Sequence, residues 1–304
     1  MRDGNSITVA VLGAGAVGCY YGGMLARAGH RVTLIGRPVH VDAFRKSGLQ
    51  FEGLKFNERI PVDASTNAAA VRGARLVLFC VKSTDTEQAA AQIAPHLDAN
   101  AVVVNLQNGV DNAERIRARV SQAVVAACVY VATEMAGPGH LKHHGRGDLV
   151  IAPDEQVKAW FESAGVPTVI SDNIAGELWA KLVVNCAYNA LSAITQLPYG
   201  KMIEGPGVRD VMRDVVAETL AVAKASGVSM APGMLDRTYR IAETMPTQFS
   251  STAQDLARGK PTEIDHLNGY VVRKGAALGI STPANQVLHA LVKLLEGCGS
   301  RDSR

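Results

Sequence analysis

The opening of the chain leaves few folds available. Residues 7–12 (ITVAVL) form a short β-rich run, GAGAVG follows at once from Gly13 to Gly18, and residues 16–28 carry a helical pattern. A strand feeding a helix through glycines at this spacing is the dinucleotide-binding arrangement. Gly13 makes the tight turn, Gly15 lets backbone approach a pyrophosphate, and Gly18 lets the helix pack closely on the strand. The helix N-terminus, with unpaired N–H groups and a favourable dipole, receives the anion. A glycine-rich turn in another α/β protein would have the same composition, but the strand and helix on either side favour nucleotide binding. Gly13, Ala14, Gly15, Ala16, Val17 and Gly18 are therefore the expected cofactor-binding segment.

A second strand is predicted over 31–35. An NAD-binding chain should end it in Asp or Glu to hold the ribose hydroxyls. Here it ends in Gly36 and Arg37, with no acid between Arg31 and Val41. A guanidinium at that point suits a 2'-phosphate, so Arg37 argues for NADP; the alternative is a solvated loop arginine. Apolar runs at 76–81, 101–105 and 124–131 then alternate with helical segments at 84–94 and 112–120. This rhythm predicts an α/β fold, a Rossmann-type doubly wound parallel sheet with ligands at the carboxyl ends of its strands. Lys82 and Asn108 stand at two such ends and are candidates for the nicotinamide end of a cofactor, or simple loop residues. Residues 49–62 break the rhythm as a small antiparallel insertion. Residues 141–151 suggest a hairpin with His143 and His144 facing solvent.

From residue 173 the β-branched runs give way to long helical patterns, broken near 198–200, 205–207, 227–232, 259–261 and 279–283. Two domains are expected, a nucleotide-binding one over 1–172 and an all-α one over 173–304. The first helix of the second carries the most unusual pattern in the chain. Lys181, Asn185 and Asn189 recur every four residues in an apolar stretch, 178–194, within an arc of roughly 80° that also holds Ser192. Surface helices show an apolar stripe on a polar background, and here the relation is reversed. Such groups need partners, because burying them unpaired costs several kcal/mol. One reading is a snorkelling lysine with asparagines bonded to neighbouring helices. The other is a general acid, Lys181, with amides that orient a small oxygenated substrate at the junction of the domains, where clefts form. Further on, PTEIDHLNG suggests Thr262 as an N-cap with Glu263 and Asp265 in the first helical turn.

Composition excludes other classes. The chain has 304 residues, 31 basic and 28 acidic, with no dense basic run, so nucleic acid and membrane surfaces are poor partners. Cys19, Cys80, Cys128, Cys186 and Cys298 lack zinc-type spacing, so no metal is expected, and they read as reduced, packed thiols of a cytoplasmic protein. The N-terminus has no signal-peptide pattern, and the longest apolar run, 123–132, is too short to span a bilayer. The oligomeric state is not specified, and a homodimer is left open.

Together, GAGAVG, Arg37, QNG at 107–109, ELWAKLVVNCAYNAL at 177–191, SSTAQD at 250–255 and PTEIDHLNG resemble the ketopantoate reductase (2-dehydropantoate 2-reductase) family over nearly the whole chain. The resemblance implies NADPH-dependent reduction of ketopantoate to pantoate, for pantothenate and coenzyme A synthesis. It puts Lys181 at the general acid position and Glu263 at that of a helping carboxylate near substrate, lysine and cofactor. Asn185, Asn189 and Ser251 take substrate-contacting positions, and Asn108 one near nicotinamide and substrate. Two departures concern the substrate. Tyr199 stands where the family resemblance calls for Asn, and Asp85 where Gln is frequent. The alternatives are an NADP-dependent reductase of another small 2-oxo acid and a non-catalytic NADP sensor.

Overall fold

The computed structural model describes residues 6–299, without the side chains of 298 and 299. The first five residues of the N-terminal reading, and Cys298, therefore fall outside what is described. The chain divides into two compact units, Met1–Ile174 and Ala175–Arg304.

The first unit begins with β1 (Thr8–Leu12), α1 (Ala16–Arg27), β2 (Arg31–Ile35) and α2 (Pro38–Ser47). The short strands β3 (Leu49–Glu52), β4 (Asn57–Ile60) and β5 (Asp63–Ser65) follow, then β6 (Leu76–Phe79), α3 (Thr86–Ile93), β7 (Val102–Asn105) and α4 (Asn112–Arg117). It closes with β8 (Ala123–Gly137), β9 (His140–Ile151), α5 (Glu155–Ser163) and β10 (Thr168–Ile170). The strands line up as β4-β3-β9-β8-β7-β6-β1-β2-β5, with β10 paired to β9. From β5 to β8 every pairing is parallel. The strand order reverses between β1 and β6, the position where open α/β sheets bind ligands. Val9, Val11, Leu76, Leu78, Val103 and Val104 have no exposed surface. Strands covered on both faces need such continuous apolar runs.

The sheet is not wholly parallel. β8 and β9 form a long antiparallel ribbon, and β3 pairs parallel to β9 and antiparallel to β4. Thus the 49–62 insertion is antiparallel as expected, whereas 141–151 is one arm of a hairpin whose other arm is β8. His143 also departs from expectation: its ring lies 4.6 Å from that of Tyr20 and is half-buried, while His144 is exposed beside Glu134.

The second unit is helical: α6 (Ile174–Thr195), α7 (Tyr199–Met202), α8 (Val208–Ala225), α9 (Met234–Thr244), α10 (Ser251–Ala257), α11 (Asn268–Ala277) and α12 (Pro283–Gly299). A 3-10 turn, Ile264–His266, precedes α11. The expected helix start at Thr262 is therefore only this turn. Thr262 does accept a hydrogen bond from the Ile264 amide at 3.2 Å, but Asp265 bonds to His289 and Lys293 of α12 at 2.6 and 2.9 Å.

Four helices are joined by a buried polar chain. Asn268 of α11 donates to the Cys186 carbonyl of α6 at 3.1 Å and to Asn285 Oδ1 at 3.0 Å. The Glu218 carboxylate of α8 accepts from the Ala284 and Asn285 amides at 2.8 and 3.0 Å, and from Asn285 Nδ2 at 2.8 Å. It thereby satisfies free N–H groups in the first turn of α12 with a charge of favourable sign.

Candidate active site

The glycine turn is held from both sides. The Gly13 and Ala14 amides each donate to the Ile35 carbonyl at 2.9 Å, which ties the turn to the end of β2. Gly13 has φ +103°, and a Cβ there would lie 2.6 Å from the Cys80 backbone. A Cβ on Gly18 would lie 2.3 Å from the Gly13 carbonyl oxygen and 2.8 Å from a Val11 methyl carbon. Gly15 differs: a Cβ there would meet nothing within 4 Å. It is the N-cap of α1, makes no side-chain cap, and no acid lies in the first turn. Open space thus faces uncapped helix N–H groups beside Ala16 and Val17, which fits a pyrophosphate.

Arg37 is the N-cap residue of α2, directly after β2 and Gly36, and is exposed. Among the described residues no hydrogen bond or ion pair engages its guanidinium. At the other side of β1, Lys82 begins the 3-10 turn Ser83–Asp85 that follows β6, and Asn108 lies in the loop after β7. The Asp85 carboxylate accepts from the Thr84 hydroxyl at 3.1 Å.

The loops carrying Lys82 and Asn108 are tied by buried polar groups. Ser83, Thr86 and Asn112 have no exposed surface. The Asn108 carbonyl accepts from Ser83 Oγ at 3.1 Å and from Asn112 Nδ2 at 2.6 Å. Gln107 donates to the Val81 carbonyl at 3.0 Å and to Thr86 Oγ1 at 2.8 Å, while its Oε1 is buried with no hydrogen-bond partner among the described residues. Arg115 of α4 closes the network through Asn112 Oδ1 at 2.7 Å, the Ser83 carbonyl at 2.8 Å and both oxygens of Glu87. The hydrogen bond from Arg115 lowers the Glu87 carboxyl from an ordinary 4.5 to about 2.

In the second unit the polar stripe lies along α6. Its C-terminal part is internal: Asn189 is 4% exposed and Ser192 fully buried. Asn189 Nδ2 donates to Ser251 Oγ at 3.4 Å and Thr252 Oγ1 at 3.3 Å, and Ser250 Oγ donates to the Asn189 carbonyl at 3.1 Å. Ser192 Oγ donates to the Leu197 carbonyl at 3.0 Å and accepts from the Ser250 amide at 3.3 Å. The bonded-asparagine reading therefore describes this end, where Asn189 fixes the start of α10 and Ser251 itself is exposed. Lys181 and Asn185 at the N-terminal end are half-buried.

Glu263 is half-buried between two anchored residues. The Thr262 amide and hydroxyl both donate to Glu296 of α12, at 2.8 and 2.6 Å, and Ile264 is fully buried. Tyr199 is 9% exposed, its ring 4.5 Å from Tyr188, whose hydroxyl bonds to the Thr238 carbonyl at 2.9 Å. Burial raises the Tyr199 hydroxyl well above its ordinary range. The Cys19, Cys80 and Cys186 thiols are likewise raised by burial and are free, which keeps them protonated and poor nucleophiles. Among the described residues no group of His, Cys, Asp and Glu is arranged to hold a metal, and no helix is long and apolar enough to cross a membrane.

Comparison with known proteins decides the family. The model for "Ketopantoate reductase PanE/ApbA" matches residues 9–156, and that for its C-terminal part matches residues 173–296. The chain belongs to the ketopantoate reductase family. The 2-dehydropantoate 2-reductase of Pyrococcus horikoshii is 33% identical over 95% of this chain and 97% of its own. That of Vibrio cholerae is 31% identical over 97% and 100%. A crystal structure of a PanE/ApbA family ketopantoate reductase from Ralstonia eutropha is 61% identical, with TM-score 0.95, over 97% of this chain and all of that one. D-Mandelate dehydrogenase, solved with NADH and anilino(oxo)acetate, shares the fold at 24% identity and TM-score 0.91, over 97% and 100%. The chain is thus an oxidoreductase of the ketopantoate reductase family, with the family's mostly parallel Rossmann unit and helical C-terminal unit.

Within this reductase, the sequence reading missed Ser83, Thr86, Asn112, Arg115 and Glu87. The first four are ordinary loop or helix residues by pattern. Only the i, i+4 spacing of Asp111 and Arg115 hints at a charge pair, and Glu87, 28 residues from Arg115, is the stronger partner.

Proposed function

We propose that the chain reduces 2-dehydropantoate to pantoate with NADPH, and that Lys181 is the general acid. The polar stripe of α6 carries this reading: in a member of this family, an ammonium and an amide, Lys181 and Asn185, are held half-buried on a largely apolar helix, in line with Asn189, which bonds to the Ser251 hydroxyl. A reduced nicotinamide supplies the hydride when bound. The residues that would hold its dinucleotide are Gly13 to Gly18 at the pyrophosphate, Arg37 at the 2'-phosphate, and Lys82 and Asn108 towards the ring. An exposed guanidinium at the end of β2, in no ion pair among the described residues, favours the 2'-phosphate over bare ribose.

The chemistry of a 2-oxo acid then assigns the remaining groups. As C2 gains hydride, the carbonyl π pair moves to oxygen, and alkoxide character builds there. The Lys181 ammonium stabilises that charge and donates its proton to the oxygen, giving the 2-hydroxy acid and a neutral amine that reprotonates from water. Asn185 and Ser251 orient the substrate's oxygens; Asn189 acts largely by holding Ser251 in place. Glu263, whose neighbour Thr262 is anchored to Glu296, is assigned as the helping carboxylate near the substrate and the lysine.

The same reading takes the enzyme to be cytoplasmic, in keeping with the absence of a disulfide at Cys19, Cys80, Cys128 and Cys186 among the described residues, and homodimeric. Val287, Leu291, Leu294 and Leu295 of α12 are 58%, 41%, 66% and 40% exposed and form one stripe. Two antiparallel copies of this helix, each about 25 Å long, would bury on the order of 1,000 Å² between them, the lower bound for a stable pair. Sedimentation of the double variant Leu291→Glu/Leu294→Glu should show a monomer where the parent is a dimer.

The activity is tested by following NADPH absorbance with ketopantoate, beside NADH and other 2-oxo acids. Selective oxidation with NADPH and ketopantoate is expected. Activity only on another 2-oxo acid would refute the substrate and direct attention to Tyr199 and Asp85.

A further inference from the structure

The two loops expected to face the nicotinamide are shaped by their own Ser83 and Gln107 and by side chains that lie beyond them. Residues 81–85 and 106–111 are joined through the Asn108 carbonyl, which receives Ser83 Oγ and Asn112 Nδ2. Asn112 and the Ser83 carbonyl are in turn held by one guanidinium, that of Arg115, whose side chain is 18% exposed. Glu87 of α3 fixes that guanidinium in a bidentate grip at 2.7 and 2.6 Å. Arg115 thus contacts α3, α4 and the 81–85 loop at once, and reaches the Asn108 backbone through a single buried amide.

We propose that Arg115 is a positioning residue of this reductase: through Ser83 and Asn112 its guanidinium sets the spacing of the Lys82 and Asn108 loops, and so the alignment of the nicotinamide ring for hydride transfer. The proposal rests on the reductase reading above. A five-donor guanidinium is required here, because four acceptor atoms on Glu87, Asn112 and Ser83 are met at once; a lysine ammonium, with three donors, cannot meet them all. The pyrophosphate turn and Arg37 lie outside this network, so dinucleotide affinity should be nearly independent of it.

The test uses the full-length protein with Arg115→Met, Arg115→Lys and Glu87→Gln. Hydrogen exchange of the ligand-free protein should show faster exchange in both loops together, in the order Met, Lys, Gln. At a temperature where each variant is folded, kcat with ketopantoate should fall by about 10-fold for Arg115→Met and about 3-fold for Glu87→Gln, since sub-ångström misplacement has such costs. NADPH affinity, read by fluorescence titration, should stay within about 3-fold, as expected for an effect on alignment rather than uniform binding. Should Arg115→Met fail to fold, Glu87→Gln carries the comparison, because Glu87 is half-exposed. Unchanged kcat in a folded variant, or loosening of α4 without the loops, would overturn the proposal. An inactive wild type would instead refute the reductase reading and leave the exchange result standing.

Discussion

Replacing Gly15 and Gly18 by alanine separates nucleotide binding from folding within one short turn. Gly15 has φ −88° and ψ −167°, an extended conformation open to alanine, and its Cβ would touch nothing. The folded state therefore gains no clash, and the roughly 0.4 to 1 kcal/mol added by restricting the unfolded chain is offset by alanine's poorer fit at the N-cap position of α1, which leaves the stability close to that of the parent. The added methyl group would, however, stand in the space proposed for the pyrophosphate. Losing two charge-assisted hydrogen bonds of about 1.5 kcal/mol each amounts to roughly a 150-fold weaker complex. Gly18→Ala behaves in the opposite way. Its Cβ, 2.3 Å from the Gly13 carbonyl oxygen, must push α1 off β1 at about 1 to 3 kcal/mol. Thermal melting and NADPH fluorescence titration read the two effects on the same samples. Normal NADPH affinity in Gly15→Ala, or a lower melting temperature for it than for Gly18→Ala, would refute the reasoning.

Other outcomes follow from the same geometry. Arg37→Ala should weaken NADPH far more than NADH in parallel titrations; equal losses would remove Arg37 from the phosphate site. Glu218→Ala strips three hydrogen bonds from the start of α12 and leaves the buried Asn285 amide short of an acceptor, about 3 kcal/mol in all, so calorimetry should show a melting temperature lower by about 6 °C. Because the Glu87 carboxyl is lowered in the folded protein, its ion pair with Arg115 stabilises fully above pH 4.5 and is lost as the pH falls towards about 2. Urea titrations between pH 5 and 2.5 should accordingly show a smaller loss of stability in Arg115→Met than in the parent, and parallel curves would contradict the pairing.

The parts legible in the sequence were those set by local rules. β1, α1 and β2 appear within a residue or two of the predicted bounds, because a covered strand and a glycine-opened helix leave plain periodicities. The far half of β8 was not legible. Register shifts at Tyr130/Val131, Ala132/Thr133 and Met135/Gly137 break the two-residue alternation, so the strand stops looking like one after Val131 although it pairs to Gly137. His143 appeared polar and solvent-facing because its contact, Tyr20, is remote in sequence. The stripe on α6 was visible as a helical pattern. Its division into an internal end at Asn189 and Ser192 and a half-buried end at Lys181 and Asn185 depends on α10, some 60 residues later. The Arg115 network had no local signature for the same reason: its bonds join segments up to 32 residues apart.

The central claim is that Lys181 delivers the proton, and the direct test is turnover of Lys181→Ala with NADPH and ketopantoate, alongside NADPH binding by the same protein. The account predicts kcat lower by about 10²- to 10⁴-fold, the range lost with a general acid, and NADPH affinity unchanged, since the glycine turn and Arg37 are intact. Near-normal turnover in a folded Lys181→Ala variant would contradict it.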